Sequence, residues 1–162
     1  MGDGRLPFYI FISDGYSDIN EISKGETIMP KLSIIEGIGG VYEAKLEAAG
    51  VKSTEALLEA CATKKERSDL AERSGITKKL ILKWANHADL IRIKGIGGEY
   101  AELLEAAGVD TVPELANRKA ENLFKKMQEI NDAKSLVRKL PSEAQVEGWI
   151  KQADALPRML QY

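Results

Sequence analysis

The chain contains the string Ile35-Glu-Gly-Ile-Gly-Gly-Val-Tyr42-Glu-Ala-Lys-Leu46-Glu-Ala-Ala-Gly50-Val51 and repeats it as Ile93-Lys-Gly-Ile-Gly-Gly-Glu-Tyr100-Ala-Glu-Leu-Leu104-Glu-Ala-Ala-Gly108-Val109. At an offset of 58 residues, twelve of the seventeen positions are identical. A repeat of this length predicts that the protein is a duplicated structural unit. In each copy a glycine-rich stretch precedes a helical pattern, so we predict a tight hairpin that opens a helix.

The duplication extends to the end of each copy. The first copy closes with Trp84-Ala-Asn-His-Ala88-Asp89 and the second with Trp149-Ile-Lys-Gln-Ala153-Asp154. Their offset is 65 residues, seven more than that of the hairpins, which predicts a longer middle around residues 131–141. Each copy should therefore comprise a hairpin, its helix, one or two middle helices and a closing helix whose tryptophan anchors the core.

The composition is that of an ordinary globular protein, with 162 residues, 44% hydrophobic and 30% charged, and a net charge of −2. No apolar run approaches the roughly 20 residues of a membrane-spanning helix, so we expect no membrane partner. The single cysteine, Cys61, lies in an apolar context and should pack as a small hydrophobic residue. One cysteine and one histidine supply neither a disulfide framework nor the usual zinc ligands. We predict no metal, no cofactor and a cytoplasmic location.

Helix signals fill the chain after residue 33, without strand alternation. Apolar residues recur at helical spacing, as in Tyr42, Leu46 and Ala49. Three pairs have the spacing of a capping box, namely Thr63 with Glu66, Thr111 with Glu114, and Ser142 with Gln145. Three glycines follow helical stretches, where a left-handed residue is favoured: Gly50, Gly75 and Gly108. The predicted fold class is all-α.

Residues 1–28 share nothing with either copy. The stretch Leu6-Pro-Phe-Tyr-Ile-Phe-Ile12 has the composition of a short strand but no partner strand. Lys24-Gly25-Glu26 can be encoded by a bacterial ribosome-binding sequence about eight nucleotides before the codon of Met29. Our hypothesis is that translation starts at Met29 and that residues 1–28 are an artefactual leader. The alternative is a genuine disordered tail.

The hairpin Gly37-Ile38-Gly39-Gly40 has two possible roles. Its glycines let the chain reverse within about three residues, and Ile38 should insert into the core and hold the turn. The helix that follows begins with free N–H groups and a partial positive charge, which together favour a phosphate. The alternative is that both hairpins only connect helices.

These residues resemble the helix-hairpin-helix motif, whose hairpins contact the DNA backbone without reading sequence. The resemblance implies backbone contacts from both hairpins, supported by the nearby lysines: Gly37, Ile38, Gly39, Gly40, Lys45, Lys94, Gly95, Ile96, Gly97 and Gly98. It also implies tandem repeats with a sterile-alpha-motif-like (SAM-like) architecture, over residues 29–90 and 91–162. We expect neither half to bury its apolar faces well alone, and the two to pack around a pseudo-twofold axis.

A longer pattern adds to this resemblance. Gly-Ile-Gly-x-x-Tyr-x-x-x-Leu-x-x-Ala-Gly-Val, the segment Arg67-Ser-Asp-Leu70-Ala-Glu-Arg-Ser-Gly75-Ile, the Trp-x-x-x-Ala-Asp ending and Arg92-Ile-Lys-Gly-Ile-Gly together resemble a prokaryotic family known only as domain of unknown function 4332. The resemblance covers residues 30 to about 157. It implies the fold and no specific activity.

The charges beside the hairpins argue against nucleic-acid binding. Phosphate binding normally recruits lysine and arginine, because neutralised phosphates supply most of the affinity. The second hairpin is instead followed by Glu99, Glu102 and Glu105. Around the first, Glu36, Glu43 and Glu47 outnumber Lys45, and Lys94 replaces Glu36 in the second copy. Three basic stretches are the better candidates for reinforcement, or are simply solvated helix faces: Lys64-Lys65-Arg67, Lys78-Lys79-Lys83 and Arg118-Lys119-Lys125-Lys126.

No catalytic constellation is evident, so we predict that the protein is not an enzyme. His87 should interact with helix carbonyls or solvent. Asp89 and Asp154 occupy equivalent positions, and a capping or salt-bridge role explains them better than acid–base catalysis. The glycines also lack the Gly-Lys-Ser/Thr ending of a nucleotide-binding P-loop.

The sequence therefore predicts a non-enzymatic module that contacts the phosphate backbone of DNA or RNA, independently of sequence, through its glycine hairpins. If one hairpin dominates, the glutamates after Gly98 favour the first. The alternative function is a protein-interaction or assembly module in which the hairpins are purely structural.

Overall fold

A computed structural model describes residues 31–162 of the chain. Residues 1–30, which include the predicted leader and its short strand, lie outside the described part. Within residues 31–162 the secondary structure is entirely helical, which confirms the all-α class. None of these helices is long and apolar enough to cross a membrane.

Each copy forms four α-helices in the same order. The first copy begins with a short 3-10 turn, Leu32–Ile34, and continues with α1 (Gly40–Ala48), α2 (Thr54–Ala60), α3 (Lys64–Ser74) and α4 (Lys78–Ile91). The second consists of α5 (Gly98–Ala106), α6 (Val112–Ala116), α7 (Ala120–Lys134) and α8 (Glu143–Ala155). Each copy thus has two middle helices, and the predicted longer middle of the second copy is confirmed, since α7 has 15 residues and α3 has 11.

The helix starts follow the predicted capping chemistry only in part. Ser142 and Gln145 form a complete capping box at α8. Thr63 accepts the N–H of Glu66, without the reciprocal bond. The box predicted at Thr111 is wrong, because its side chain makes no capping bond and the carboxylate of Asp89 accepts the N–H of Val112 instead. A buried carboxylate from another helix has displaced the local cap.

The helix ends follow the predicted glycine chemistry. Gly50, Gly75 and Gly108 have φ values of +91°, +71° and +93°, which lie in the left-handed region. Only glycine adopts this region without strain, and it lets the chain leave the helix while satisfying the last carbonyls. All three positions therefore confirm the predicted helix termini.

Each copy has its own hydrophobic core, and the first core also takes Leu160 from the end of the second copy. The first core surrounds Trp84, which is 1% exposed, and the second surrounds Trp149, which is 3% exposed. Cys61 is fully buried in the first core, as predicted. Burial raises the pKa of its thiol to about 12, so the thiol stays protonated in the folded protein.

Two features join the copies. Helix α4 of the first copy packs against α5 of the second, and Ile91 contacts both cores. The C-terminal segment after α8 then returns to the first copy, where Leu160 is buried in the core and the N–H of Gln161 donates to the carbonyl of Ala62 (2.8 Å). The last residues of the second repeat therefore complete the core of the first.

The glycines at the helix starts show that this packing is not reciprocal. A Cβ on Gly98, at the start of α5, would collide with the backbone carbonyl of Ile34. The equivalent Gly40, at the start of α1, has no atom within 4 Å of its Cβ position. A twofold axis would give both glycines the same surroundings, so this contact lacks the predicted pseudo-twofold symmetry.

Candidate functional site

The two glycine hairpins, hairpin 1 (residues 37–40) and hairpin 2 (residues 95–98), share one backbone conformation. Gly37 and Gly95 have φ values of +95° and +94°. In both, the N–H of the following isoleucine donates to a carbonyl three residues earlier, at 3.2 Å for Ile38 and 3.1 Å for Ile96. Both isoleucines are 4% exposed, so they insert into their cores as predicted, and only their backbones can face a ligand.

Each hairpin lies on the tryptophan of its own copy. A Cβ on Gly37 would lie 3.4 Å from Nε1 of Trp84, and one on Gly95 would lie 2.9 Å from Nε1 of Trp149. The left-handed φ favours glycine at both positions, and at Gly95 the indole ring also lies too close for a side chain. The tryptophans are buried core anchors, as predicted, and each also packs against the hairpin of its own copy.

Hairpin 1 is open to solvent. Gly39 and Gly40 are exposed, and a Cβ on either would meet no atom within 4 Å. No side chain caps the start of α1 at Gly39. Because the first N–H groups of a helix have no intrahelical partner, this start presents unpaired donors and the positive end of the helix dipole.

Hairpin 2 is partly covered. Gly98 is buried against the carbonyl of Ile34, and its Cβ position lies 3.6 Å from the backbone nitrogen of Glu36. Gly97 is half-buried, whereas Gly95 and the side chain of Lys94 are exposed. Of the backbone contacts that the resemblance implied for this hairpin, the one at Gly98 is therefore shielded by the first copy.

The charges close to both hairpins are mainly acidic. Glu43 lies in the first turn of α1 and Glu99 in the first turn of α5. Lys45, the nearest cation after hairpin 1, lies with its Nζ 5.7 Å from the centre of the Tyr42 ring. A cation held over an aromatic face keeps its charge but is less free to follow a phosphate.

Two cations of the predicted basic stretches make contacts within the protein. Arg67 is buried, donates to the carbonyl of Cys61 (2.9 Å) and lies over the ring of Tyr162, so it is not part of a solvated face. Lys83 forms an ion pair with Glu105 at 3.6 Å. Lys125 and Lys126 pair within α7, whereas four other lysines are exposed on α3 and α4: Lys64, Lys65, Lys78 and Lys79.

The expectation that His87 meets carbonyls or solvent is wrong. Its ring is fully buried, and Nε2 lies 2.6 Å from Oε2 of Glu105 on α5. Because a carboxylate only accepts, Nε2 carries the hydrogen. Nδ1 is buried without a hydrogen-bond partner among residues 31–162. His87 is thus a structural contact between the copies.

Asp89 has the capping and ion-pair roles that were predicted. Its Oδ1 accepts from Nη2 of Arg92 at 2.6 Å, and its Oδ2 accepts the N–H of Val112, at the start of α6, at 2.8 Å. Burial raises its pKa, although Arg92 and the bond from Val112 oppose that shift. Asp154, at the equivalent position, is exposed. The two equivalent carboxylates therefore have different surroundings.

The contacts of Glu105 with His87 and Lys83 should affect how the free energy of unfolding falls at acidic pH. Burial opposes the charge of Glu105, but the hydrogen bond and charge of His87, with help from Lys83, outweigh burial and lower the pKa. A lowered carboxylate pKa contributes stability that is present above the unfolded value of 4.5 and is lost as pH falls through the folded value. We expect Glu105→Gln to cost about 1.5 kcal/mol at pH 7 and to flatten the loss of stability below pH 4.5. Urea unfolding from pH 3 to 7 measures both effects, and an acid limb parallel to the wild type would contradict the assignment.

Comparison with known proteins finds one family. A family profile described as Domain of unknown function (DUF4332) matches residues 36–156, most of the chain. The chain belongs to the DUF4332 family. No curated protein and no solved structure matches it. The match covers both hairpins and both tryptophan helices of this DUF4332 protein, and it adds no activity.

Sequence reasoning missed two polar side chains of this DUF4332 protein: His87, which joins the copies, and Gln152, which holds the residue before hairpin 2. His87 and Gln152 each follow the core tryptophan by three residues, and residues so spaced share one helix face. That spacing was enough to place both on the same face as the tryptophan of their helix. The partners of Asp89 and His87 carry no such signal, because they come from a different repeat. Residues 31–162 also contain no group of three or more histidine, cysteine or acidic side chains placed to hold a metal ion.

Proposed function

We propose that this DUF4332 protein is a non-enzymatic cytoplasmic module that contacts the phosphate backbone of nucleic acid, independently of sequence, through hairpin 1. The observation that carries the proposal is the difference between the two helix starts. The start of α1 at Gly39 and Gly40 is uncapped and uncovered, whereas Gly98 at the start of α5 is buried. A free helix start attracts an anion through its unpaired N–H groups and its dipole.

The local architecture fits a tandem helix-hairpin-helix arrangement with SAM-like copies. Helix α4, hairpin 2 and α5 follow one another as helix, hairpin and helix. At hairpin 1 the preceding element is the short turn Leu32–Ile34. The two hairpins share their positive-φ glycine and their tryptophan support. In this interpretation, hairpin 1 is the element that contacts the DNA backbone, as the hairpin does in that motif.

The proposed binding is weak and has a shallow dependence on salt. Glu43 lies beside the site, Lys45 is held over Tyr42, Arg67 is buried, and the half-exposed Lys83 pairs with Glu105. One hairpin neutralises few phosphates, so the affinity should fall only by a shallow power of the salt concentration. Binding is therefore best sought at about 50 mM salt and compared with about 200 mM.

Aspartate at the two helix starts provides a matched test. Gly39 and Gly97 both have extended backbones, with φ of −90° and −101°, and both have open space at Cβ. Aspartate is a good N-cap and should leave stability within a few tenths of a kcal/mol or improve it. At Gly39 its carboxylate would occupy the N–H groups and repel phosphate. We expect Gly39→Asp to weaken binding to a generic labelled duplex at least about tenfold, and Gly97→Asp to leave it nearly unchanged.

Fluorescence anisotropy at both salt concentrations measures the effect, with thermal unfolding to confirm that both variants fold. Equal weakening by the two variants would show that hairpin 1 is not the specific site. A folded wild-type protein that fails to bind single- or double-stranded nucleic acid at low salt would refute the proposal.

The second candidate, a protein-interaction or assembly module, is favoured by the apolar surface next to hairpin 1. Val41 is 70% exposed and Ile34 is 39% exposed, both large apolar side chains close to the turn. Such exposure beside an open backbone is typical of a surface that meets a partner. Sedimentation of the wild type and of Val41→Glu distinguishes this candidate, because only an apolar interface should weaken in the variant.

A further inference from the structure

The two hairpins are held in place by different parts of the molecule. His87 and Gln152 occupy equivalent positions, since each follows its tryptophan by three residues and their offset is 65. Lys94 and Glu36 are likewise equivalent at the hairpin offset of 58. The contacts of these four residues differ completely between the copies.

In the second copy, Gln152 of α8 binds Lys94, the residue just before hairpin 2. Its Oε1 accepts the backbone N–H of Lys94 at 3.0 Å, and its Nε2 donates to the Lys94 carbonyl at 3.4 Å. An amide side chain can do this because it carries a donor and an acceptor side by side. Hairpin 2 is therefore tied to a helix of its own copy.

In the first copy, an imidazole stands where that amide would be. The two ring nitrogens of histidine point in diverging directions, so one ring cannot bind both the N–H and the carbonyl of a single residue. His87 turns instead to Glu105 on α5, at 2.6 Å. Among residues 31–162, no side-chain hydrogen bond corresponding to that of Gln152 reaches the backbone of Glu36.

Hairpin 1 is supported by the second copy instead. The start of α5 packs closely on the turn that leads into hairpin 1, because Gly98 lies against the carbonyl of Ile34 and near the nitrogen of Glu36. The bond from His87 to Glu105 holds the same helix two turns further along. Both contacts therefore cross from the first copy to α5.

We infer that the joint between the copies, formed by α4 and α5, controls the conformation of hairpin 1, while the residue that enters hairpin 2, Lys94, is held by α8 of its own copy. Loosening α5 releases the turn before hairpin 1, whereas loosening α8 releases Lys94. Resting on the proposed function, this makes the second copy a regulatory element for the phosphate site on the first.

Hydrogen–deuterium exchange of the full chain tests the inference without any ligand. Glu105→Ala removes the partner of His87, and Gln152→Ala is the matched variant in the second copy. We expect Glu105→Ala to speed exchange of the Ile38 amide in hairpin 1, which donates to the carbonyl of Ile35, about tenfold, and to leave the Lys94 amide before hairpin 2, which donates to Gln152, unchanged. Gln152→Ala should do the reverse. If the alanine variant folds poorly, Glu105→Gln can replace it. This variant keeps the side-chain shape and should show the first effect more weakly.

Exchange that rises equally at Ile38 and Lys94, or only at Lys94, in the Glu105 variants would overturn the inference. Anisotropy with the generic duplex is a separate readout. If the wild type binds no duplex, the proposed function fails, while the exchange pattern still decides whether the joint controls hairpin 1. If the duplex binds and the Glu105 variants alter exchange in hairpin 1, the affinity of those variants should change and that of Gln152→Ala should not.

Discussion

Replacing Asp89 with alanine is expected to lower the free energy of unfolding by about 3–5 kcal/mol, which would be the largest effect of any single substitution considered for this protein. The carboxylate is 1% exposed and pairs with Arg92, whose side chain is 6% exposed. It also accepts the N–H of Val112 at the start of α6. Alanine would leave a buried guanidinium and a buried N–H without their partner, and such uncompensated groups are costly.

Asp154→Ala is the matched control, because Asp154 occupies the equivalent position and is exposed. Its unfolding free energy should stay within about 0.5 kcal/mol of the wild type. Asp89→Asn should fall between the two. It keeps an acceptor for one partner, and the raised pKa of Asp89 shows that its charge is opposed by burial. Urea unfolding at pH 7 measures all three, and equal effects of the two alanine variants would refute the buried role of Asp89.

Gly98→Ala is expected to destabilise the protein by about 3 kcal/mol, the second large effect. The new methyl group would collide with the carbonyl of Ile34, which is backbone and cannot rotate away. Alanine favours a helix by up to about 1 kcal/mol over glycine, but this gain is smaller than the cost of the collision. The substitution should therefore push α5 away from the first copy.

Gly40→Ala makes the same chemical change at the equivalent position of the first copy. No atom lies within 4 Å of its Cβ position, so it should be neutral or stabilising by up to about 1 kcal/mol. Thermal unfolding of both variants gives the comparison. A Gly98→Ala variant as stable as Gly40→Ala would show that α5 does not pack on the turn before hairpin 1.

Much of the fold could be predicted because its signals are local. The left-handed glycines Gly50, Gly75 and Gly108, the inserted Ile38 and the two tryptophan helices depend on residues a few positions away. Backbone freedom at glycine and apolar spacing along a helix act within a few turns. Because the chain is duplicated, the same local signals occur in both copies, and each copy independently indicates the order of its helices.

The failed predictions concern residues whose partners come from distant parts of the chain. Thr111 lost its capping role to Asp89, which is 22 positions earlier. Arg67 is buried under Tyr162 near the C-terminus, and His87 binds Glu105 of the other copy. Leu160 of the second copy joins the core of the first, which is another contact between distant parts of the chain. Spacing along a sequence does not show which buried polar groups will meet.

The sequence by itself determined the duplicated unit, its helices and the glycine conformation of both hairpins, because these depend on local backbone freedom and helical periodicity. Only the tertiary structure decided that the two hairpins differ. The two hairpins have the same glycines, but the helix start at Gly40 is open and the one at Gly98 is covered. The reason is that α5 packs on the first copy, while no described residue packs on the start of α1 in the same way. Two copies with the same local sequence therefore have different neighbours, because they do not pack on each other symmetrically.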